Sequence, residues 1–373
     1  MCPDSKPLPL PESIVCNHPL GHHTTIGVGG PARYFAVVSS PEQLLYAVRW
    51  AHEREVPVFV LGGGSNVLIS DEGFPGLVVH IGLRGWQVVE EGDYVLLAVA
   101  SGERWDYVVE LAVSRHWAGI ECLSGIPGQV GATPIQNVGA YGQQVSETIA
   151  EVKAIDLQSG ETVVIPGSEC EFGYRTSRFR TRDAGRFFIT HVTFKLVPGG
   201  PPTVRYPELA AYLKEQNISN PDPAQVRGAV RAIRARKSML VDPNDPNSRS
   251  CGSFFVNPVV SQEQFNELVA IVRRKGLVGR DELPPHYGGK EGIKLSAAWL
   301  IESAGFRRGT RLGPAALSQK HALAIVNMGG AKARDIIALA DLIRLRVFEQ
   351  FGLVLEPEPV FVGFEKSPLT PLP

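Results

Sequence analysis

Residues 125–142, GIPGQVGATPIQNVGAYG, form a long glycine-rich stretch that decides which nucleotide-binding folds the chain can adopt. A second glycine cluster, LGGGSN at 61–66, follows the apolar run VPVFV, which predicts a buried strand. Glycines allow close approach of the backbone to a ligand, so its N–H groups can hold a diphosphate without many lysines. Neither loop matches the GxGxxG or GxxxxGK[ST] phosphate-binding patterns. A single cluster could serve only tight turns, but two clusters favour a nucleotide site of another architecture.

The composition is that of an ordinary globular protein. Of the 373 residues, 44% are hydrophobic and 20% are charged, and 37 basic residues balance 38 acidic ones, which argues against nucleic acid or an anionic membrane as a partner. The five cysteines are scattered without disulfide or zinc spacing, which favours a reducing cytoplasm. The sequence also shows no signal peptide and no apolar run of membrane-spanning length, so we expect a soluble protein.

The chain changes character along its length. The opening is mixed α/β, with a helix predicted to start at Ser40-Pro41. A strand-rich segment follows, and the glycines and prolines at 197–202 indicate a boundary or a mobile connection. The remainder is richer in helices, including one with a possible capping box from Ser261 to Gln264.

Three further motifs carry groups suited to chemistry. Arg175 lies in GYRTSRFR, Ser253 lies in CGSFFVNP, and LEPEPVFVG places Glu356 and Glu358 two positions apart, on the same side if that segment is a regular strand. An arginine can grip a carboxylate through two hydrogen bonds, and a serine hydroxyl can donate a proton. Taken singly, each motif could equally be surface charge, a turn or an edge strand. There is no GxSxG or HExxH motif, and the adjacent His22-His23 fits a loop better than a metal site, so no metal is predicted.

Read in order, six motifs of the chain resemble the UDP-N-acetylenolpyruvoylglucosamine reductase family of bacterial cell-wall synthesis. The motifs are HTTIGVGGPARYF, LGGGSNVLI, GIPGQVGATPIQNVGAYG, YRTSRF, CGSFFVNP and LEPEPVFVG. The resemblance extends over roughly residues 18–363, nearly the whole chain, and the second glycine loop together with GSFF is its most specific part.

The resemblance implies an α+β fold, in which an FAD-binding portion of the vanillyl-alcohol-oxidase type, made of two subdomains, precedes a C-terminal α+β substrate domain. The implied boundaries are 1–16 for a disordered tail, 17–85 and 86–214 for the two FAD-binding subdomains, 215–364 for the substrate domain, whose last strand can pack back on the FAD portion, and 365–373 for a second tail. FAD is expected to bind without a covalent bond, with NADPH as co-substrate and a UDP-sugar as substrate. We expect a monomer with neither nucleic acid nor a membrane as partner.

The resemblance also assigns roles to residues. The implied cofactor contacts are Gly62, Gly63, Gly64, Ser65, Asn66, Gly128, Gly131, Asn137, Gly139 and Tyr141. The implied catalytic residues are Arg175, Ser253 and Glu358, and the implied contacts to the UDP-sugar or the nicotinamide are Tyr206, Lys237, Asn257 and His321. Tyr206 and the longer C-terminal domain resemble the first subtype of the family, in which a tyrosine-bearing loop closes over the substrate. Gly27, Cys251 and Pro359 depart from the family pattern.

The implied chemistry is hydride transfer from NADPH through FAD to the terminal carbon of an enolpyruvyl ether. Ser253 then protonates the adjacent carbon, while Arg175 and Glu358 stabilise the enolate-like charge. Two alternatives stay open. Another flavin oxidoreductase on the same fold, such as an alcohol oxidase, would often carry a covalent flavin link, for which no histidine or cysteine stands out. A non-catalytic nucleotide-sugar binder would have no need for Arg175 and Ser253.

Overall fold

The computed structural model describes residues 13–289 and 292–372. Most of the expected N-terminal tail, residues 1–12, lies outside the described residues. The chain forms two compact units: unit 1 contains the residues up to 18, 32–64 and 74–240, and unit 2 contains 19–31, 65–73 and the residues from 241 onward.

The helices and strands are numbered in chain order over the described residues. The strands are β1 (Ile14–Pro19), β2 (Pro31–Val38), β3 (Val58–Leu61), β4 (Val67–Ile69), β5 (Phe74–Ile81), β6 (Trp86–Glu91), β7 (Tyr94–Ala100), β8 (Trp117–Ala118), β9 (Gly139–Ala140), β10 (Gln143–Gln144), β11 (Ile149–Asp156), β12 (Thr162–Pro166), β13 (Phe187–Pro198), β14 (Val259–Val260), β15 (His286–Gly289), β16 (Gly292–Leu295), β17 (Arg311–Leu312), β18 (Ala315–Leu317), β19 (Ile325–Asn327) and β20 (Val360–Val362). The α-helices are α1 (Pro41–His52), α2 (Trp105–Ser114), α3 (Pro207–Glu215), α4 (Pro223–Arg236), α5 (Gln262–Arg274), α6 (Ala297–Ser303) and α7 (Ala333–Phe351). Short 3₁₀ turns include Glu121–Leu123 and Val130–Ala132.

The first sheet of unit 1 has the strand order β1-β2-β5-β3, and β5 runs parallel to both β2 and β3. Central strand β5 is buried almost continuously, which is typical of a strand in a parallel sheet. Helix α1 packs its apolar face on this sheet. It begins as predicted, because the Ser40 side chain accepts a hydrogen bond from Gln43 N and Pro41 occupies the first turn. Strand β3 ends at Leu61, so the first glycine loop starts at a strand end.

The second sheet of unit 1 is antiparallel and six-stranded. Five strands follow the order β12-β11-β13-β7-β6, and the sixth, β8, pairs with one end of β13. Side chains of β7 alternate between buried and half-buried, as expected when one sheet face carries the core. Helix α2 covers that face, with Trp105 against Phe194 at 5.5 Å between ring centroids. The stretch 197–202 begins within this sheet, because Val197 and Pro198 pair with β8, so it does not separate compact units.

Helices α3 and α4 complete unit 1. Leu209 and Leu213 of α3 pack with Val226, Val230 and other apolar residues of α4 in one buried cluster. Arg227 of α4 also forms an ion pair with Asp106 of α2, 2.6 Å from Arg227 Nη1 to Asp106 Oδ1. Because of these contacts, residues 215–240 pack within unit 1, whereas the sequence-based boundary was placed between residues 214 and 215.

Over its described residues, unit 2 consists of three small sheets and three α-helices around one main core. Its sheets have the orders β14-β16-β15, β17-β18-β19 and β20-β4, the last a parallel pair between the C-terminal strand and the segment after the first glycine loop. Helix α5 has the predicted capping box, with reciprocal hydrogen bonds between Ser261 and Gln264. The long helix α7 buries an apolar stripe that includes Ile336 and Ile343, and it ends at Gly352 in the left-handed conformation.

Both ends of the described chain are packed more closely than expected. Ile14 is buried and begins β1, inside the range predicted as a tail. Near the other end, Leu369 is buried in the unit 2 core, and Thr370 N donates to Asp341 Oδ1 at 3.0 Å. These end segments differ from the expected disordered tails because Ile14 and Leu369 are each buried in a hydrophobic core. Over the described residues, none of the helices has the length and apolar character needed to cross a membrane.

Candidate functional site

The two glycine-rich loops pack directly on each other within unit 1. A Cβ atom on Gly63 would lie 2.7 Å from Gly128 Cα, and one on Gly131 would lie 2.6 Å from Ser101 Cβ. No real Cβ tolerates such contacts, so packing alone requires glycine at these positions. Gly64 and Gly128 have positive φ angles of 60° and 119°. The glycines therefore serve the loop geometry, in which Gly62, Gly63 and Gly128 stay half-buried.

Asn137 holds the second loop in shape from within. It adopts a positive φ of 46°, and its side chain is 2% exposed. Its Nδ2 donates to Gln144 Oε1 and to Gly173 O, both at 3.0 Å, and its Oδ1 accepts from Ser146 N at 3.2 Å. These bonds fasten the loop to the turn that carries Arg175. A contact from the Asn137 side chain to the cofactor stays a prediction.

Arg175 lies against the second glycine loop. Its Nη2 donates to Gly139 O at 2.8 Å, and its guanidinium carbon lies 5.5 Å from the centroid of the Tyr174 ring. Its backbone has a positive φ of 56°, an unfavourable conformation for a residue with a side chain. The structure thus brings Arg175, a predicted catalytic residue, next to Gly139, a predicted cofactor residue.

Tyr141, Tyr206 and Lys237 gather around the start of α3. The rings of Tyr141 and Tyr206 meet edge to face with centroids 5.5 Å apart. Lys237 Nζ donates to Glu208 Oε2 at 2.6 Å, and Glu208 follows Tyr206 by two residues in the sequence. Burial raises the pKa of Tyr141 to about 12, although the nearby Arg234 opposes the shift. A predicted cofactor residue and two predicted substrate residues therefore lie in one neighbourhood.

In unit 2, backbone pairing places Glu358 opposite Phe254, the residue that follows Ser253. Glu358 N donates to Phe254 O at 2.9 Å, and Val256 N donates to Glu356 O at 3.0 Å, so the two segments run antiparallel. Asn66 Nδ2 donates to Glu358 O at 3.3 Å. Glu356 and Glu358 would point to the same side only if both lay in a regular strand. Strand β20 begins at Val360, beyond both residues, so this condition is not met. Glu356 is exposed, whereas Glu358 is half-buried.

The other predicted residues of unit 2 lie around the same segment. Asn257 Oδ1 accepts from Ala297 N at 2.9 Å, which satisfies a backbone donor at the start of α6. The segment carrying His321 is joined to the GSFF motif, because Phe254 N donates to Leu323 O at 2.7 Å. Ser65 belongs to unit 2 and directly precedes Asn66. Ser253, Asn66, Glu358 and the His321 segment are thus assembled from four separate stretches of sequence.

Comparison with known proteins decides the family. Residues 32–165 match the family described as "FAD binding domain", and residues 243–362 match "UDP-N-acetylenolpyruvoylglucosamine reductase, C-terminal domain". The UDP-N-acetylenolpyruvoylglucosamine reductase of Thermobifida fusca is 43% identical over 357 residues, which cover 95% of this chain and 99% of that protein. The chain belongs to the UDP-N-acetylenolpyruvoylglucosamine reductase family. The reductase of Streptomyces coelicolor is 42% identical over 92% of this chain and 89% of its own length.

A solved structure of the reductase family agrees. The crystal structure of the Thermus caldophilus enzyme superposes with a TM-score of 0.61 at 27% identity, covering 94% of this chain and 98% of that one. The family prediction is confirmed, as are the α+β fold, with its FAD-binding portion of the vanillyl-alcohol-oxidase type, and the use of FAD. The chain is an FAD-dependent oxidoreductase.

Two buried polar atoms show that unit 1 fits the flavin of this reductase family. Gln129 Nε2 donates to Ile81 O at 3.1 Å, which orients the amide because a carbonyl can only accept. Its Oε1 then faces Gly62, 3.4 Å from where a Cβ would lie. Among the described residues this Oε1 and the Oγ of Ser101 find no hydrogen-bond partner. Buried polar atoms are rarely left unpaired, and FAD carries hydroxyl and N–H groups that would satisfy both.

Sequence reasoning missed Gln129 and Ser101 as candidate FAD contacts. Gln129 stands inside the quoted glycine loop, where a polar side chain among small residues is a usable signal. Ser101 directly follows β7, at a strand end. Ser101 is recognisable only in the folded chain, because its proximity to Gly131 depends on packing between separate segments.

The three departures from the reductase pattern have structural roles. Gly27 has a positive φ of 70°, and Asn327 Nδ2 donates to its carbonyl at 3.5 Å. Cys251 is buried, its Sγ donates to Val67 O at 3.1 Å, and burial raises its pKa to about 12. Pro359 is buried directly before β20. Each departure fits the local backbone.

Proposed function

We propose that this protein reduces the enolpyruvyl double bond of UDP-N-acetylglucosamine enolpyruvate with NADPH to give UDP-N-acetylmuramate, a precursor of peptidoglycan. The observation that carries the proposal is 43% identity to a named reductase over 95% of the chain. Both halves of the enzyme are represented, since an FAD-binding match and a reductase C-terminal match follow each other along the sequence.

The catalytic roles proposed for Arg175, Ser253 and Glu358 follow from the charge that the reaction develops. FAD, held by the two glycine loops, would supply the redox chemistry that carries a hydride from NADPH to the terminal carbon of the enolpyruvyl group. Negative charge then accumulates toward the substrate carboxylate, where a guanidinium stabilises it. The adjacent carbon takes a proton, which Ser253 donates before it is reprotonated from solvent. One hydride and one proton are added in total, so the double bond is saturated.

Unit 1 supports these roles by fixing Arg175. The bond to Gly139 O ties the guanidinium to a loop that is proposed to contact the flavin, and the strained backbone turn restricts it further. Preorganised charge of this kind needs no rearrangement as the reaction proceeds. In unit 2, pairing of Glu358 N with Phe254 O holds Glu358 next to the Ser253 segment.

Binding roles are proposed for the remaining residues. The glycines of both loops, with Ser65, Asn66 and Asn137, surround the flavin diphosphate or its ring system. Tyr206, Lys237, Asn257 and His321 contact the UDP-sugar diphosphate or the nicotinamide. Lys237 is held at 2.6 Å by Glu208, so we expect it to exchange or share that partner when a diphosphate arrives. Tyr206 supports the proposed first subtype with its substrate-covering loop.

The cellular setting is also proposed. Cys122, Cys170 and Cys251 are buried free thiols, which suits a reducing compartment such as the cytoplasm. The near balance of 37 basic and 38 acidic residues argues against a nucleic-acid or anionic-membrane partner. We also propose that the protein is a monomer. A role in peptidoglycan synthesis implies a contribution to cell shape and division.

A direct assay tests the proposal. The purified protein should show a yellow flavin spectrum and release its FAD on acid or heat denaturation. Under anaerobic conditions it should turn over NADPH beyond one equivalent per flavin only when UDP-N-acetylglucosamine enolpyruvate is present. Mass spectrometry should detect the product as substrate plus two hydrogens. Anaerobic NADPH turnover beyond one equivalent per flavin without the UDP-sugar, or an unchanged UDP-sugar, would reject the proposed reaction.

A further inference from the structure

Glu121 is a fully buried carboxylate just before the second glycine loop. It opens the 3₁₀ turn Glu121–Leu123 and is 0% exposed. Gly119 N donates to its Oε2 at 2.7 Å, while Thr203 N, at 2.7 Å, and Gln143 Nε2, at 3.0 Å, donate to its Oε1. One side chain therefore joins three segments that are far apart in the sequence.

The three segments converge on Thr203. Its N–H is bonded to Glu121, its carbonyl accepts from Cys122 Sγ at 3.0 Å, and its Oγ1 accepts from Gln143 Nε2 at 3.2 Å. Gln143 is itself held, because its Oε1 accepts from Cys122 N at 2.9 Å. Every polar group of Thr203 is thus fixed by neighbours around the carboxylate.

Thr203 begins the segment that leads to Tyr206. The residue before Gln143 is Gly142, where a Cβ would lie 3.2 Å from Arg205 Cβ and 3.4 Å from Tyr206 N. The Tyr141 and Tyr206 rings then meet edge to face at 5.5 Å. The network around Glu121 therefore holds the start of the tyrosine segment against the glycine loop.

The chemistry of the network favours a specific role for the acid. All three of its partners donate, and a carboxylate is the side chain that accepts from each without offering a competing proton. No lysine, arginine or histidine of the described chain forms an ion pair with it. Burying a carboxylate without an opposite charge is costly, so core filling alone is a poor explanation for its presence.

We propose that Glu121 is a positioning residue for the UDP-sugar, acting through Thr203 to set Tyr206 against Tyr141. The inference rests on the proposed function, because Tyr206 is taken there to contact the substrate. Glu121 itself touches neither substrate nor flavin in this account. Its effect should appear as weaker UDP-sugar binding that depends on Tyr206.

A double-mutant cycle on the FAD-loaded enzyme tests this dependence. Glu121→Gln replaces an acceptor oxygen by an N–H₂ donor, and Tyr206→Phe removes the hydroxyl while keeping the ring on Tyr141. The dissociation constant of the UDP-sugar is measured from the change it causes in the flavin absorbance. We expect each single variant to raise this dissociation constant about tenfold. The dissociation constant of the double variant should be no more than about twofold higher than that of Tyr206→Phe alone.

Asp156→Asn is the matched control. Asp156 is a buried carboxylate of β11 in the same unit, and it pairs with Arg186 at 2.6 Å, away from the network. The control should lower the melting temperature but leave the dissociation constant unchanged. Should Glu121→Gln fail to fold, Thr203→Val removes only the Oγ1 contact, and we expect about a threefold rise that also vanishes in the Tyr206→Phe background.

Three results would overturn the inference while leaving the proposed function intact. The first is an unchanged UDP-sugar dissociation constant in folded Glu121→Gln or Thr203→Val. The second is a double variant whose rise in the dissociation constant equals the product of the rises in the two single variants. The third is an equal rise in the Asp156→Asn control. If the wild-type enzyme itself does not bind the UDP-sugar, both the proposed function and this inference fail. The wild-type titration therefore separates the two failures.

Discussion

Gly63→Ala is the most direct perturbation of the proposed flavin cradle. The added Cβ would lie 2.7 Å from Gly128 Cα, which is 0.7 Å inside the 3.4 Å limit of ordinary contact. Gly128 contributes backbone at this point, so no side chain can rotate away. Gly63 does not have a positive φ, so the alanine itself is not conformationally strained. The only way to relieve the clash is to separate the two loops.

The expected size of the effect follows from that clash. Overpacking of a tightly packed site costs about 1–3 kcal/mol. If the cost falls on the loop arrangement that holds FAD, the flavin dissociation constant should rise roughly 5- to 150-fold, since about 1.4 kcal/mol corresponds to a factor of ten. The stabilisation that FAD gives to the fold should shrink accordingly.

The assay is titration of apoprotein with FAD, followed by quenching of flavin fluorescence, with melting temperatures measured at fixed FAD. Gly228→Ala is the matched control, because it makes the same chemical change in the interior of α4, where a Cβ meets nothing within 4 Å. It should leave FAD binding unchanged and raise stability by up to about 1 kcal/mol. If Gly63→Ala binds FAD as tightly as Gly228→Ala does, the two loops do not form the flavin cradle.

Three further predictions concern the chemistry and the fold. Ser253→Ala should leave flavin reduction by NADPH nearly unchanged but slow flavin reoxidation by the UDP-sugar by about 10²- to 10⁴-fold in stopped flow; the opposite pattern would assign Ser253 to the nicotinamide site. Arg175→Lys should lower kcat/KM by roughly 10- to 100-fold with FAD content retained, because lysine cannot reproduce a planar two-point grip; equal kcat/KM would contradict that role. Burial alone would raise the pKa of Asp106, but hydrogen bonds from Arg227 and Gly125 outweigh burial and hold the pKa below 3.8. Its stabilising contribution should therefore be complete above about pH 5 and be lost as the pH falls through the lowered value. Asp106→Asn should flatten this part of the acid unfolding curve measured in urea, and an unaltered curve would argue against the ion pair.

Local chemistry accounts for what the sequence predicted well. The start of α1 at Ser40 and the capping box of α5 depend on residues three positions apart, so they are visible in one short window. The glycine loops and the GSFF motif were equally readable, and their order along the chain pointed to the family that the comparisons confirm.

Long-range packing accounts for what the sequence did not reveal. The placement of α4 in unit 1 depends on contacts such as Arg227 with Asp106, which are 121 residues apart. Asn66 was grouped with the cofactor residues by its motif, yet its amide donates to the carbonyl of Glu358, 292 residues away. Glu121 gave no signal, because its partner Thr203 is 82 residues further along. Such pairings appear only once the chain is folded.

Hydride transfer from the flavin of this chain to an enolpyruvyl UDP-sugar can be measured in a single turnover. The FAD-loaded enzyme is photoreduced under anaerobic conditions with EDTA as the electron donor, the light is switched off, and UDP-N-acetylglucosamine enolpyruvate is added in a stopped-flow instrument. We expect the absorbance of oxidised flavin to return in one phase, with one UDP-N-acetylmuramate formed per flavin. Flavin that stays reduced in the presence of the UDP-sugar, but reoxidises when air is admitted, would contradict it.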